Sequence, residues 1–333
     1  MPELRKDPII GRWIIIAQER GQRPTDFLIE ESKVKGGFCP LCPGNEKTTP
    51  GEVLVYGREW GGHPNTEGWK LRVVPNKYPA LVIEGTLDKQ GEGLYDRMNG
   101  IGAHEVIIES PHHQDRFSHL SPQVMILTFR AFRDRIHDLS QDRRFNYVVI
   151  FKNFGKAAGA SLEHSHSQLV ALPILPRMIT SELEGSLSYF KYKDRCIFCD
   201  IIRQEMQQQV RLVCENSHFV TIAPFAPRSP FELWILPRSH NSSYTDQDED
   251  SLTALTAIFS ETLRRLDTCI PHVPYNFVLH TQPLRSGPLE HYHWHFEIVP
   301  KLTSIAGFEW GTGFYINPMP PEETCRYLRE VQL

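Results

Sequence analysis

The chain has 333 residues, of which 40% are hydrophobic and 23% charged, and 36 Lys and Arg face 40 Asp and Glu for a formal net charge of −4. That balance supplies no global field for a nucleic-acid backbone or an anionic membrane. The apolar run Trp13 to Ala17 falls far short of the ~20 residues that cross a bilayer, and no signal-peptide core is visible. The expectation is a cytoplasmic protein of two domains or one large one, since the length exceeds twice the roughly 150-residue prior for a single domain.

In chain order, the first chemistry-bearing stretch is CPLCPGN, residues 39–45, where two prolines and a glycine surround Cys42. This composition predicts a turn-rich knuckle holding thiolates; a redox pair or a plain tight turn is the alternative. A Gly-rich segment, 86–102, follows and is read as a lid or an insertion. Residues 105–109 form an apolar run that ends in a Pro-containing turn and His113, as a strand entering a loop would. Helical periodicity then spans Met125, Thr128, Ala131, Phe132, Ile136 and Leu139.

NFGKAAGAS, residues 153–161, has small residues that let backbone approach an anion and a positive Lys156, which predicts a phosphate pocket; a hairpin loop is the plainer reading. HSHSQ, residues 164–168, places His164, His166 and Gln168 on one face of a strand. A linker is expected within 174–195, leading to a second C-x-x-C at Cys196 and Cys199.

The sequence repeats itself at an offset of 127: EVIIESPHH at 105–113 falls on ELWILPRSH at 232–240, and His164 and His166 fall on His291 and His293 of HYHWH. The helical periodicity recurs at Leu252, Leu255, Ile258, Phe259, Leu263 and Leu266. Upstream the offset becomes 140, so the first copy carries 13 extra residues, assigned to the Gly-rich segment. Each copy thus has two thiols, a histidine at a strand end and a histidine 51 residues later. Two thiolates and two imidazoles make a closed tetrahedral zinc set. The predicted sets are Cys39, Cys42, His113 and His164, and Cys196, Cys199, His240 and His291, two structural zinc ions per chain. His112 competes with His113, and the register decides for His113 because Ser239 faces His112. With His164 on metal, His166 is a positioned neutral imidazole beside the non-titrating amide of Gln168, a competent nucleophile.

RGQRP (20–24), CPLCPGN, VPNKYPA (74–80), ESPHH (109–113), KNFGKAAGASLEHSHSQ (152–168) and AGFEWGTGFYIN (306–317) resemble the galactose-1-phosphate uridylyltransferase family of the histidine-triad superfamily. The resemblance covers nearly the whole chain. It implies an α+β fold, a tandem duplication of a histidine-triad-like unit with antiparallel sheets flanked by helices, divided here as 1–180 and 181–333. It implies that His166 attacks the α-phosphorus of a nucleotide sugar and that a hexose 1-phosphate, or another phosphate acceptor, then takes the nucleotidyl group. By the same resemblance Gln168 holds phosphoryl oxygens, Ser161 contacts the departing phosphate, and Arg20, Arg23, Asn76 and Asn153 bind nucleotide. Relatives commonly form homodimers.

Departures from the family's better-known bacterial branch are Ser165 and Ser167, where that branch has proline and glycine, and the second C-x-x-C. That branch binds its second metal through a glutamate and histidines, which Glu182, His280 and His293 could imitate. HSHSQ and the second C-x-x-C look closer to the branch that includes ADP-glucose phosphorylase. The expected reaction is uridylyl transfer from UDP-glucose to a hexose 1-phosphate. The alternatives are an ADP-glucose phosphorylase or adenylyltransferase, a histidine-triad hydrolase working from His293, and a zinc-stapled module without turnover.

Overall fold

The computed structural model describes residues 1–20, 24, 27, 37–58 and 62–333. Strands β1 (Glu3–Lys6) and β2 (Trp13–Ile16) form an N-terminal hairpin. The first repeat then supplies β3 (Leu54–Tyr56), β4 (Leu71–Pro75), β5 (Gln90–Glu92), β6 (Tyr95–Arg97), β7 (Ala103–Ile108), α1 (Pro122–Leu139), β8 (Tyr147–Phe154) and β9 (His166–Leu172). Helices α2 (Arg177–Lys193) and α3 (Ile197–Gln208) lead into the second repeat. It contains β10 (Leu212–Glu215), β11 (Phe219–Ile222), β12 (Leu233–Pro237), α4 (Glu249–Cys269), β13 (Tyr275–His280) and β14 (His295–Pro300). The C-terminal stretch adds α5 (Gly307–Thr312), β15 (Tyr315–Asn317) and α6 (Pro321–Glu330).

The expected α+β duplication is present, and the two copies share one sheet. Ten strands run in the order β10-β11-β12-β14-β13-β8-β9-β7-β4-β3, all paired antiparallel. The seam is β8 against β13, with Asn153 directly opposite Asn276. Pairing at the seam satisfies the backbone groups that would otherwise leave an open edge on each five-stranded half.

Helices α1 and α4 pack on one face of this sheet and against each other. Every apolar position expected to face inward on either helix is buried. Between them and the sheet sits a cluster of Phe117, Phe129, Phe259, Phe277 and Phe296, with several edge-to-face ring pairs 5.1–6.2 Å apart. This core joins residues of both repeats. Arg135 ties α1 to β7 through the buried carboxylate of Glu105, at 2.6 and 2.8 Å.

On the other face of the second repeat, α3, β12 and the turn around Ile9 bury Phe198, Trp234 and Tyr292. The N-terminal hairpin lies with this second repeat, since β15 pairs parallel to β2 and Arg5 bridges Glu322 at 2.8 Å. Gly185 of α2 is required by close approach, because a Cβ there would lie 1.8 Å from the Ile9 carbonyl oxygen. The segment 86–102 contains an exposed hairpin of β5 and β6, a sheet of its own. Among the described residues, no helix is long and apolar enough to cross a membrane.

Candidate active site and metal centres

Strand β9 carries the site because its two faces do different work. Leu169 and Ala171 point into the helix-covered core, and Ser165 and Ser167 share that side. Both serines donate hydrogen bonds to Glu109, Ser165 at 2.6 Å. Lys152, 1% exposed, donates to the same carboxylate at 2.5 Å, to Ser165 Oγ at 3.2 Å and to the His166 carbonyl oxygen at 2.9 Å. A buried charge pair is tolerable only when its remaining hydrogen-bonding capacity is also satisfied, which these hydroxyls and this carbonyl do. The serines that replace the bacterial branch's proline and glycine thus fasten the strand from beneath.

His166 and Gln168 lie on the opposite face. His166 is 6% exposed, and its Nδ1 sits 2.8 Å from the His164 carbonyl oxygen. A carbonyl only accepts, so Nδ1 carries the proton and Nε2 keeps its lone pair. Burial and then the nearby Lys152 charge push the imidazole pKa down, against the His164 carbonyl and Glu109. The neutral, nucleophilic form is favoured.

Below it, Cys39, Cys42, His113 and His164 bring one donor atom each within 4.8 Å of one another. Cys42 Sγ is 3.4 Å from His113 Nδ1 and 3.5 Å from His164 Nδ1, and Cys39 Sγ is 3.7 Å from His164 Nδ1. A tetrahedral ion with ordinary zinc–sulfur and zinc–nitrogen bonds needs about 3.6 Å between such donors. His164 Nε2 donates to the Ser110 carbonyl oxygen at 2.7 Å, which leaves Nδ1 unprotonated toward the two thiols and able to hold a metal. The CPLC segment folds as consecutive turns, Cys42 N–H to Cys39 O and Asn45 N–H to Cys42 O, as its prolines and glycine predict.

The second set differs from expectation in one member. Cys196, Cys199 and His240 converge with His293, whose Nδ1 is 3.7 Å from Cys199 Sγ. His291 instead presents its carbonyl oxygen to Cys196 Sγ at 3.6 Å, and its ring lies against Phe190. The hydrogen bonds give the true correspondence. His293 Nε2 donates to the Pro237 carbonyl oxygen as His164 does to Ser110, and His295 Nδ1 donates to His293 as His166 does to His164. The ring pairs agree: His113 and His164 meet at 5.4 Å and 82°, His240 and His293 at 5.5 Å and 83°. HSHSQ therefore matches HWHFE, and Gln168 corresponds to Glu297. A slip of two residues keeps every side chain on its own strand face, so alternation alone could not detect it.

The same slip corrects the alternative carboxylate set. Glu182 and His280 gather with His295 rather than His293, with His280 Nδ1 3.0 Å from Glu182. The thiolate and carboxylate sets stand side by side, each with two histidines of its own. His295, at the position corresponding to His166, is covered by the rings of Trp234 and Phe198 at 5.4 and 5.2 Å and is fully buried.

Between β8 and the histidine strand the loop 155–161 turns through Gly155 (φ +81°) and Gly159 (φ +86°), both at positive φ, with a Cβ at Gly155 meeting Pro274 at 2.8 Å. Lys156 and Ser161 are exposed on this loop. Asn153 accepts a hydrogen bond from Asn276 across the seam at 2.8 Å, and Asn276 also donates to the Ala158 carbonyl oxygen, so the second repeat braces the loop. Asn76 follows β4 and reaches the site through His104, which lies 3.2 Å from it and 2.9 Å from Gln168 Oε1. Arg23 and the side chain of Arg20 lie outside the described residues.

His104, Glu109 and Lys152 are the functional candidates that sequence reasoning missed. The signal for the last two was a single charge following an apolar run, VIIE and YVVIFK.

Residues 1–176 match the family described as "Galactose-1-phosphate uridyl transferase, N-terminal domain", and residues 89–331 match a domain of unknown function, DUF4921. An ADP-glucose phosphorylase of Arabidopsis thaliana is 38% identical, covering 100% of this chain and 93% of that protein. A galactose-1-phosphate uridylyltransferase of Thermotoga maritima is 28% identical, covering 100% and 99%. The crystal structure of an Arabidopsis thaliana ADP-glucose phosphorylase with bound ADP-glucose superposes with a TM-score of 0.85 at 36% identity, covering both chains fully. A uridylyltransferase structure gives 0.77 at 28% identity, covering 99% and 97%. The duplicated sheet, the histidine strand and these full-length similarities establish that the chain belongs to the galactose-1-phosphate uridylyltransferase family and is a nucleotidyltransferase.

Proposed function

We propose that the chain transfers the nucleotidyl group of a nucleotide sugar through a covalent bond to His166. The single observation that carries this reading is the Nδ1 hydrogen bond of His166 to the His164 carbonyl, which leaves Nε2 unprotonated on the strand face opposite the helix-covered core. Nε2 attacks the α-phosphorus, the bond to the bridging oxygen breaks, and the sugar 1-phosphate departs. A phosphate oxygen of the acceptor then attacks the same phosphorus and the P–N bond breaks. While the nucleotidyl group is attached the imidazole is positively charged, and the carbonyl dipole at Nδ1 stabilises that charge. Gln168 holds phosphoryl oxygens. Asn76, Asn153, Lys156, Arg20 and Arg23 bind the nucleotide sugar, and Ser161 contacts the leaving phosphate.

Cys39, Cys42, His113 and His164 suit a structural zinc ion, as do Cys196, Cys199, His240 and His293, two per chain. The first fixes His164 and, through its carbonyl, the direction of His166. The seven cysteines are unpaired, which suits the cytoplasm. A homodimer is the assembly that the family resemblance implies.

Two donor and acceptor pairs fit. UDP-glucose with a hexose 1-phosphate accords with the matched family's description and with the uridylyltransferase relatives. ADP-glucose with inorganic phosphate is favoured by the 38% identity to the Arabidopsis enzyme. Incubating the protein with each labelled nucleotide sugar and scoring acid-labile label decides the base; adding galactose 1-phosphate or inorganic phosphate to the labelled protein decides the acceptor. Label with neither donor would refute the reading.

A further inference from the structure

We infer that His104 is a positioning residue for the transfer, fixing which end of the Gln168 amide faces the reacting phosphate; the inference rests on the reading of His166 and Gln168 as the transfer site. His104 is on β7, which pairs with β9 so that Val106 faces Gln168 and Ile108 faces His166. Residues 104, 106 and 108 therefore share the face of the nucleophile.

The Ala80 backbone N–H donates to His104 Nδ1 at 3.1 Å. A backbone N–H has no lone pair to offer, so Nδ1 is unprotonated and the neutral ring carries its proton on Nε2. That Nε2–H is 2.9 Å from Gln168 Oε1 and donates to it. The carbonyl end of the amide is thereby turned toward His104 and the NH2 end away from it. Phosphoryl oxygens only accept, so a reversed amide would set oxygen against oxygen and lose the bond that holds the transferring group.

Asn76 is oriented by a different backbone donor. Its Oδ1 accepts from the Tyr78 N–H at 2.9 Å, so its NH2 is the end lying 3.2 Å from His104 Nε2. With Nε2 protonated, two donors meet there, and the Asn76 hydrogens remain available for an acceptor on the substrate. The His104 carbonyl also accepts from the Asn76 N–H at 2.7 Å, fixing that residue's backbone. The backbone donor at Ala80 thus sets the direction of the Gln168 amide, and the backbone donor at Tyr78 sets that of Asn76.

Two measurements test this. Nitrogen-15 NMR of histidine-labelled, substrate-free protein reads the tautomer without any turnover; Nδ1 unprotonated and Nε2 protonated at His104 is expected, and a protonated Nδ1 would overturn the inference. The second is a double-mutant cycle on the rate of nucleotidyl-histidine formation, using His104→Phe to keep a ring of similar shape, with a thermal melt to verify folding. His104→Phe alone is expected to slow that step roughly tenfold or more. In a Gln168→Ala background it is expected to change the rate less than twofold, because its effect runs through that amide. Losses that multiply in the cycle would mean a structural role and overturn the proposal. Wild-type protein that forms no adduct would refute the transfer reading, whereas the tautomer result stands separately.

Discussion

Lys152 reaches through the buried side of the sheet to the backbone of His166, its Nζ 2.9 Å from that residue's carbonyl oxygen while it pairs with Glu109 at 2.5 Å. Burial presses the ammonium pKa down and Glu109 opposes that shift. Replacing Lys152 by Met leaves the Glu109 carboxylate buried without its partner, at a cost of about 3–5 kcal/mol. Denaturant unfolding of Lys152→Met should show a loss of this size. The double variant Lys152→Met, Glu109→Gln should recover much of it. Equal losses in both would show that the charge pair is not what stabilises the strand.

The metal sets give a second test. His293→Ala should release one equivalent of zinc per chain on gentle dialysis, whereas His291→Ala should retain both equivalents. The opposite pattern in elemental analysis would restore the offset of 127 and contradict the ring geometry at Cys199.

Much of this was legible in the sequence. The first ligand set, the inward faces of α1 and α4 and the knuckle at Cys39 all rest on local spacing, and local spacing is what a sequence displays directly. The second set failed at His291 because the loop before β14 is two residues longer than its counterpart, and strand parity is blind to an even slip. The fusion of the copies at Asn153 and Asn276 pairs strands more than a hundred residues apart, and nothing local to β8 or β13 marks them as neighbours. His104 was invisible for a related reason: its three partners come from two other segments, Asn76 and Ala80 from the loop after β4 and Gln168 from β9.

A pH dependence follows from Glu52. Burial would raise its pKa, but the Arg58 and Arg72 guanidinium groups and the Asn65 N–H outweigh it and hold the carboxyl at about 2. A carboxyl depressed in the folded state contributes stability above its ordinary pKa of 4.5 and loses it as the pH falls toward 2. Urea midpoints measured between those values should fall more steeply for wild type than for Glu52→Gln. Parallel slopes would remove Glu52 from the acid limb.

The central claim is that His166 carries the nucleotidyl group. Intact-mass measurement after brief incubation with UDP-glucose or ADP-glucose, without acceptor, tests it most directly. One of these donors should add a single nucleotidyl group to wild-type protein, the acceptor should remove it, and His166→Ala should gain none. An adduct of the same mass and yield on His166→Ala, or none on wild type with either donor, would contradict it.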